Sequence, residues 1–308
     1  MKKHLNPVKL FVGLLAVVQC SGCMTMLVPD FVQEEIRQTQ AFAKAHPESS
    51  HTLVSKDRDV HFEQIGRTQG TKIIFIHGSP GDWGAYVNLL NRKSLQDSAL
   101  LMSADRLGYG GSSKGGVSRS LEEQARAMMR ILDQDDPRQP VILVGHSFGG
   151  PVVSKMATFG DPRIRSVVIL AGSVDPSLEV THWYQYPADW IPIRWILPSD
   201  LVTCNQEIMA LKPELEVMAP EWSKITARVT VVQGLADTLV DPRNADYIES
   251  KTMHLGYHKI IRLPGQNHFL QAERNDLIEE ILHTELNAIS GQGPVSPADE
   301  STGIKTSR

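Results

Sequence analysis

Cysteine is scarce in this chain. Cys20, Cys23 and Cys204 are the only three in 308 residues, too few for a disulfide scaffold or a four-cysteine zinc site. Basic charge is not in excess. The 31 Lys and Arg stand against 35 Asp and Glu, a net charge of -4, which argues against a generally basic nucleic-acid-binding surface. The apolar run Leu10–Val18 has nine residues, whereas a membrane-spanning helix needs about 20. There is no internal repeat, and no Gly-x-Gly-x-x-Gly opens a helix to receive a dinucleotide. What remains is 41% hydrophobic and 21% charged, the balance of an ordinary globular protein. At about 100–200 residues per domain the length allows one large domain or two.

The N-terminus reads as an address. Lys2, Lys3 and Lys9 precede Leu10–Val18, a charged region followed by a short apolar one. Ser21-Gly22-Cys23 then resembles a bacterial lipoprotein cleavage box, with Cys20 standing where such signals usually carry Leu. The resemblance implies a signal peptide over 1–22 and a lipidated N-terminus at Cys23. Met24 rather than Asp after it implies export to the outer membrane, facing the periplasm. An ordinary secretory signal cut nearby is the alternative. Cleavage removes three of the 31 basic residues, leaving 28 against 35 acidic, a net of -7. Cys204 is then the one free thiol.

Residues 23–50 read as a tether and a helix, with Phe31, Ile36 and Phe42 loosely periodic. Residues 51–65 alternate well enough for two short strands, with Asp57 near the turn. Continuous apolar runs follow at Lys72–His77, Ala99–Ala104, Val141–Val144, Ser166–Leu170, Arg228–Gln233 and His258–Leu263. Such runs suit a parallel sheet covered on both faces. Helical patterns lie between them at Ser120–Leu132, Ser147–Phe159, Asn244–Thr252 and Phe269–Leu286. The expected fold class is therefore α/β, a doubly wound and mostly parallel sheet with helices on both faces. The alternation breaks at about 173–227. That stretch carries Trp183, Trp190, Trp195 and Trp222 with Tyr184 and Tyr186, too long and apolar for a loop, and reads as an inserted cap. Its aromatics suit either an apolar substrate pocket or packing of cap on core, and Trp83 is a candidate pocket wall. Residues 291–308 read as a flexible tail, closing a domain over 51–290.

The chemistry concentrates at the ends of these runs. Gly145-His146-Ser147-Phe148-Gly149 follows Val141–Val144 and opens a helix, which is the strand–turn–helix context a G-x-S-x-G nucleophile requires. Glycine at 145 and 149 lets neighbouring backbone come close, and the turn projects the Ser147 hydroxyl outward. The helix start adds donors and a positive dipole end. On this motif the chain resembles an α/β-hydrolase-fold enzyme over about residues 51–290, and further motifs fall in that family's order of Ser, acid, His. The resemblance implies that Ser79, after His77-Gly78, gives one oxyanion-hole N–H and Phe148 the other. Pro80 stiffens that loop. His77, Gly78, Gly145 and Gly149 are then structural. Asp105-Arg106-Leu107-Gly108-Tyr109-Gly110-Gly111-Ser112 is similar to the family's Asp-x-x-Gly-x-Gly-x-Ser turn, which makes Asp105 structural. The His-Gly-Gly-Gly form of some esterases is absent.

The acid belongs just after a late strand. Gly234-Leu-Ala-Asp237-Thr-Leu-Val240 resembles the family loop there and implies Asp237, with Asp175 and Asp241 as rivals. The base belongs after the last strand. Gly265-Gln266-Asn267-His268-Phe269 resembles the Gly-x-x-His-Phe that the family commonly carries there and implies His268; the other histidines beyond Asp237 are His254, His258 and His283, at strand flanks or within a helix. A neutral imidazole can take the serine proton while a carboxylate holds its tautomer. No motif asks for a metal or an organic cofactor.

The expected function is a serine hydrolase that cleaves carboxylic esters through an acyl-enzyme. Its substrate is a small molecule with an apolar part; nucleic acid is not expected, and the membrane enters through the lipid anchor. Hydrolysis of a carbon–carbon bond, and acyl transfer or thioester cleavage, use the same three residues and remain alternatives. Ser at 147, where epoxide hydrolases and haloalkane dehalogenases carry Asp, argues against both. A non-catalytic, membrane-tethered binding protein on the same fold is the alternative of another class.

Overall fold

A computed structural model describes residues 30–291 apart from His182 and Tyr184. The expected signal peptide 1–22, the Cys23 lipidation site and residues 292–308 of the expected tail lie outside the described residues, as do Tyr184 and the side chain of Phe31.

The first helix, α1 (Asp30–Ala45), leads into the hairpin β1 (Ser50–Leu53) and β2 (Val60–Gly66). The strands β3 (Thr71–Ile76) and β4 (Ala99–Ala104) come next, then helix α2 (Leu121–Met129), β5 (Val141–His146), α3 (Gly149–Thr158) and β6 (Ile164–Leu170). After β6 the chain runs through two four-residue helices into the long α4 (Ser199–Met218). It closes with β7 (Arg228–Gly234), α5 (Asn244–Thr252), β8 (His258–Leu263) and α6 (Asn275–Ser290). The eight strands form one sheet in the order β1-β2-β4-β3-β5-β6-β7-β8. The two β2 pairings are antiparallel and the rest of the sheet is parallel. The six apolar runs read from the sequence are β3 to β8.

Alternation within those runs builds two cores. Ile74 and Ile76 of β3 face the same layer as Leu143 of β5, packed with Met128 of α2, Val153 of α3 and Ile248 of α5. Ile73 and Phe75 face the other layer with Ile142 and Val144, packed with Phe42 of α1 and Ile278 and Leu282 of α6. Both faces of the central strands are thus covered, which is why β3, β4 and β5 carry no polar alternation. The exception is Lys72. Its buried ammonium donates to the carbonyls of Leu132, Gln134 and Asp136, so its charge is solvated by backbone.

The expected helix Phe269–Leu286 is two helices. Leu270–Glu273 is a single turn, and α6 starts at Asn275. Arg274 between them has φ -126° and ψ 36°, outside the helical region. The apolar stripe continues across the break, so periodicity alone does not reveal it.

The segment between β6 and β7 divides its aromatics. Trp222 is 1% exposed and sits in the core, whereas Trp183, Trp190 and Trp195 are 72%, 64% and 83% exposed. Of these four, Trp222 is the one in the core beside the sheet. Trp83 is half-buried, its ring 5.7 Å from Phe42, so it helps to seat α1.

Candidate active site

Parallel strands carry their turns to one end of the sheet, and the expected residues follow the carboxyl ends of β3, β5, β7 and β8. Between β5 and α3, Ser147 has φ +52°. Its N–H donates to the Leu170 carbonyl at 2.9 Å, and its own carbonyl accepts from Gly150 N–H at 3.0 Å. A β-carbon on Gly149 would sit 2.1 Å from the Ile76 carbonyl oxygen, and one on Gly145 2.3 Å from the Gly149 carbonyl oxygen. Those clashes with backbone require glycine at both places. A non-glycine residue at positive φ is held there by its surroundings at a cost of about 1–3 kcal/mol.

His268 Nδ1 donates to Asp237 Oδ2 at 2.7 Å, and both residues are buried. Asp237 is itself fixed, because its Oδ1 accepts the N–H groups of Leu239 and Val240 at 2.8 and 2.9 Å. The rivals face elsewhere. Asp241 forms an exposed pair with Arg243 at 2.7 Å, and Asp175 accepts the Ser177 N–H at 2.8 Å. With Nδ1–H committed to the carboxylate, the neutral His268 ring presents Nε2 as a proton acceptor. His146, next to Ser147 in sequence, donates through Nε2 to the His268 carbonyl at 3.0 Å, and the two rings lie 4.7 Å apart. Burial and the neighbouring His268 hold the His146 pKa well below the usual histidine value, so it serves as a neutral tie between β5 and the His268 loop.

The loop after β3 lies against the same turn. A β-carbon on Gly78 would come 3.0 Å from Ser147 Cβ. His77 is fully buried; its Nδ1 donates to the Gly78 carbonyl at 2.7 Å, and its Nε2 accepts the Arg106 N–H at 2.9 Å. Burial, with Arg106 beside it, pushes its pKa well down. Both ring nitrogens are thus taken, and the ring braces the loop. Phe148 stands at the N-cap of α3, where the first N–H groups of a helix have no partner within the helix.

Asp105 accepts from the Trp83 and Gly111 N–H groups, both at 2.8 Å. It also meets His61 Nδ1 at 2.8 Å, and His61 Nε2 lies 2.9 Å from Ser50 Oγ. Ser50, His61 and Asp105 thus form a second Ser-His-Asp chain. A second carboxylate, Glu63, stands 3.5 Å from His61 Nε2. Burial opposes charge on this ring, but the bonds to Asp105 and Glu63 outweigh it and raise the pKa to about 9. A ring protonated near neutral pH cannot take a serine proton, so this chain ties the β1–β2 hairpin to the turn after β4.

Sequence reasoning missed the network around Arg106. The guanidinium is buried and paired with Glu207 of α4 through two 2.8 Å bonds. Tyr109 Oη donates to Glu207 Oε1 at 2.7 Å and lies 2.9 Å from Ser79 Oγ. The available signal was Glu207 on the apolar stripe Thr203, Glu207, Leu211 and Leu215 of α4. Among the described residues, no group of three or more His, Cys, Asp and Glu could hold a metal ion.

Comparison with known proteins agrees at the level of the fold. Residues 72–201 match the family model described as alpha/beta hydrolase fold. The chain is 27% identical over 168 residues to a dihydrolipoyllysine-residue acetyltransferase component of the acetoin cleaving system of Cupriavidus necator, covering 54% of this chain and 42% of that protein. The chain spans less than half the length of the curated relatives it matches. A solved membrane phospholipase A, a bacterial virulence factor, superposes with a TM-score of 0.62 at 16% identity, covering 94% of this chain and 99% of that one. The monoacylglycerol lipase of Paleococcus ferrophilus superposes with a TM-score of 0.59 at 17% identity, over 73% of this chain and 99% of that one. Strand order, the turn at Ser147 and these likenesses converge, and the chain has the α/β-hydrolase fold.

Proposed function

We propose that this protein is a serine hydrolase that cleaves carboxylic esters with an apolar part, with Ser147 as nucleophile, His268 as base and Asp237 as its orienting acid. The observation that carries this reading is the 2.7 Å bond from His268 Nδ1 to Asp237 Oδ2, in a ring tied through His146 to the turn of Ser147. Ser147 Oγ attacks the acyl carbonyl as His268 Nε2 takes its proton. The N–H groups of Ser79 and Phe148 receive the oxyanion. His268 then returns the proton to the leaving alcohol, and water activated by the same ring releases the acid. The segment 173–227 acts as a cap, a reading supported by the contact of Glu207 with Arg106 beside this loop.

The test is hydrolysis of a p-nitrophenyl ester series from acetyl to palmitoyl by the protein and by Ser147→Ala. Activity lost in the variant supports the serine esterase, and the chain-length optimum sizes the acyl site. A folded protein inactive at every length would move the reading to carbon–carbon or thioester substrates, or to a binding role.

The same proposal places the protein on the extracytoplasmic side of a bacterial membrane, tethered through a lipidated Cys23. No helix among the described residues is long and apolar enough to cross a membrane. The exposed Trp183, Trp190, Ile191, Trp195 and Ile196 support a membrane-facing surface, since Trp with aliphatic neighbours suits the lipid–water interface. Cys23→Ser should release the protein from the membrane fraction; retention with an unmodified N-terminus would refute the lipid anchor.

A further inference from the structure

The peptide between Gly78 and Ser79 is gripped from its carbonyl side. The Gly78 oxygen accepts from Arg106 Nη2 at 2.9 Å and from His77 Nδ1 at 2.7 Å. Arg106 Nε donates to the preceding carbonyl, that of His77, at 2.9 Å. A trans peptide is planar, with its C=O and N–H pointing opposite ways. Two donors on the Gly78 oxygen therefore also fix the direction of the Ser79 N–H. The same guanidinium lies 4.6 Å from the Phe148 ring centroid and 4.9 Å from that of Tyr109. One buried side chain thus holds the carbonyl of the Gly78–Ser79 peptide and packs on the ring of Phe148.

Arg106 cannot hold this position alone. It is 0% exposed, as is Glu207, and a buried charge without a partner is strongly unfavourable. Glu207 takes the two Arg106 donors that face away from the loop. Gln124 Nε2 at 3.3 Å and Tyr109 Oη at 2.7 Å add two more bonds to the same carboxylate. Tyr109 closes the circuit through Ser79 Oγ. Glu207 comes from α4, in the segment between β6 and β7, 101 positions from Arg106 in sequence.

We infer that Arg106 and Glu207 are positioning residues for the oxyanion hole, through which α4 sets the direction of the Ser79 N–H. The inference rests on the serine-hydrolase reading above. It assigns to the ion pair an effect on the transition state, where the oxyanion exists, and little effect on substrate binding. Removing an oxyanion donor typically lowers kcat by about 10²–10³-fold. Misaiming one should fall toward the lower end of that range.

The test compares Arg106→Lys and the double variant Arg106→Met, Glu207→Met with the unaltered full-length protein, using the best p-nitrophenyl ester. Lysine keeps the charge but cannot reach two carbonyls and a carboxylate as a fork. The double variant leaves no unpaired buried charge, and should one variant fail to fold the other decides. For a variant that folds, kcat should drop about 10²-fold while KM changes by less than about threefold. Affinity for an alkylboronic acid, which forms a tetrahedral adduct on the serine, should fall in parallel. A folded variant with kcat within about threefold of the unaltered protein, or with only KM raised, overturns the positioning role and leaves the esterase intact. Absence of esterase activity in the unaltered protein, or activity that survives Ser147→Ala, overturns both.

Discussion

His61 Nδ1 stands 2.8 Å from Asp105 Oδ2, nearly the separation of His268 Nδ1 from Asp237 Oδ2 at 2.7 Å. Contact geometry therefore does not distinguish the two pairs. The number of carboxylates does: His61 also faces Glu63, and two negative carboxylates favour the protonated ring. His268 pairs with Asp237 through Nδ1, and in the proposed mechanism its Nε2 takes the proton of Ser147.

That difference predicts a pH signature in the β1–β2 hairpin. The His61 pKa is raised to about 9 from an unfolded value of about 6.5. A pKa raised on folding stabilises the fold fully below the unfolded value, and the contribution is lost as pH rises through the folded value. His61→Gln should therefore destabilise most at pH 6, and the gap should shrink as pH rises from about 6.5 to about 9, above which its ionic part is gone. Thermal unfolding of the two proteins across pH 5–10 reads this. A constant gap would show that His61 contributes packing only.

Asp237→Asn should keep the fold, because its amide oxygen can still accept the Leu239 and Val240 N–H groups. It should lower kcat severely, by about 10⁴-fold in the serine-protease template, since the imidazole loses its tautomer control. Asp175→Asn and Asp241→Asn should leave kcat unchanged. Ester kinetics on the three variants would shift the assignment if either of the latter two were the one impaired.

Gly149→Ala drives a methyl group to 2.1 Å from the Ile76 carbonyl oxygen. Backbone on both sides cannot yield as a side chain would, so we expect a loss of at least about 1–3 kcal/mol and of ester turnover. Gly256, with nothing within 4 Å of an added β-carbon, is the control. Urea unfolding of Gly149→Ala matching that of Gly256→Ala would contradict the close approach.

The aromatics of the β6–β7 segment should behave in two ways. Trp222→Ala removes a core side chain and should cost about 3–5 kcal/mol. Trp190→Ser and Trp195→Ser remove exposed rings and should change stability by less than about 0.5 kcal/mol. If that surface meets lipid, these two variants together should bind vesicles more weakly in a flotation assay, with their unfolding midpoint intact. Undiminished binding would separate the surface from the membrane.

Strand positions were legible because residues buried on both faces leave a continuous apolar run, as in Lys72–His77 and Val141–Val144. The residues at the ends of those runs were legible because their turns constrain the neighbours: Gly145 and Gly149 are there for backbone that a β-carbon would strike. The order of β4 and β3 in the sheet was not legible, since nothing local in an apolar run names its neighbour. Nor was the break at Arg274, where the apolar stripe crosses from one helix to the next.

Local chemistry thus determined the α/β class and the strands β3 to β8, because strand burial and turn geometry are written within a few residues, and motif resemblance supplied the expected roles of Ser147, Asp237 and His268. Tertiary structure decided what depends on partners far apart in the chain. It turned Trp183, Trp190 and Trp195 outward, set Asp105 beside His61, and brought Glu207 to Arg106. A side chain's charge state and direction are fixed by the groups that surround it after folding, and those groups lie tens of positions away in sequence.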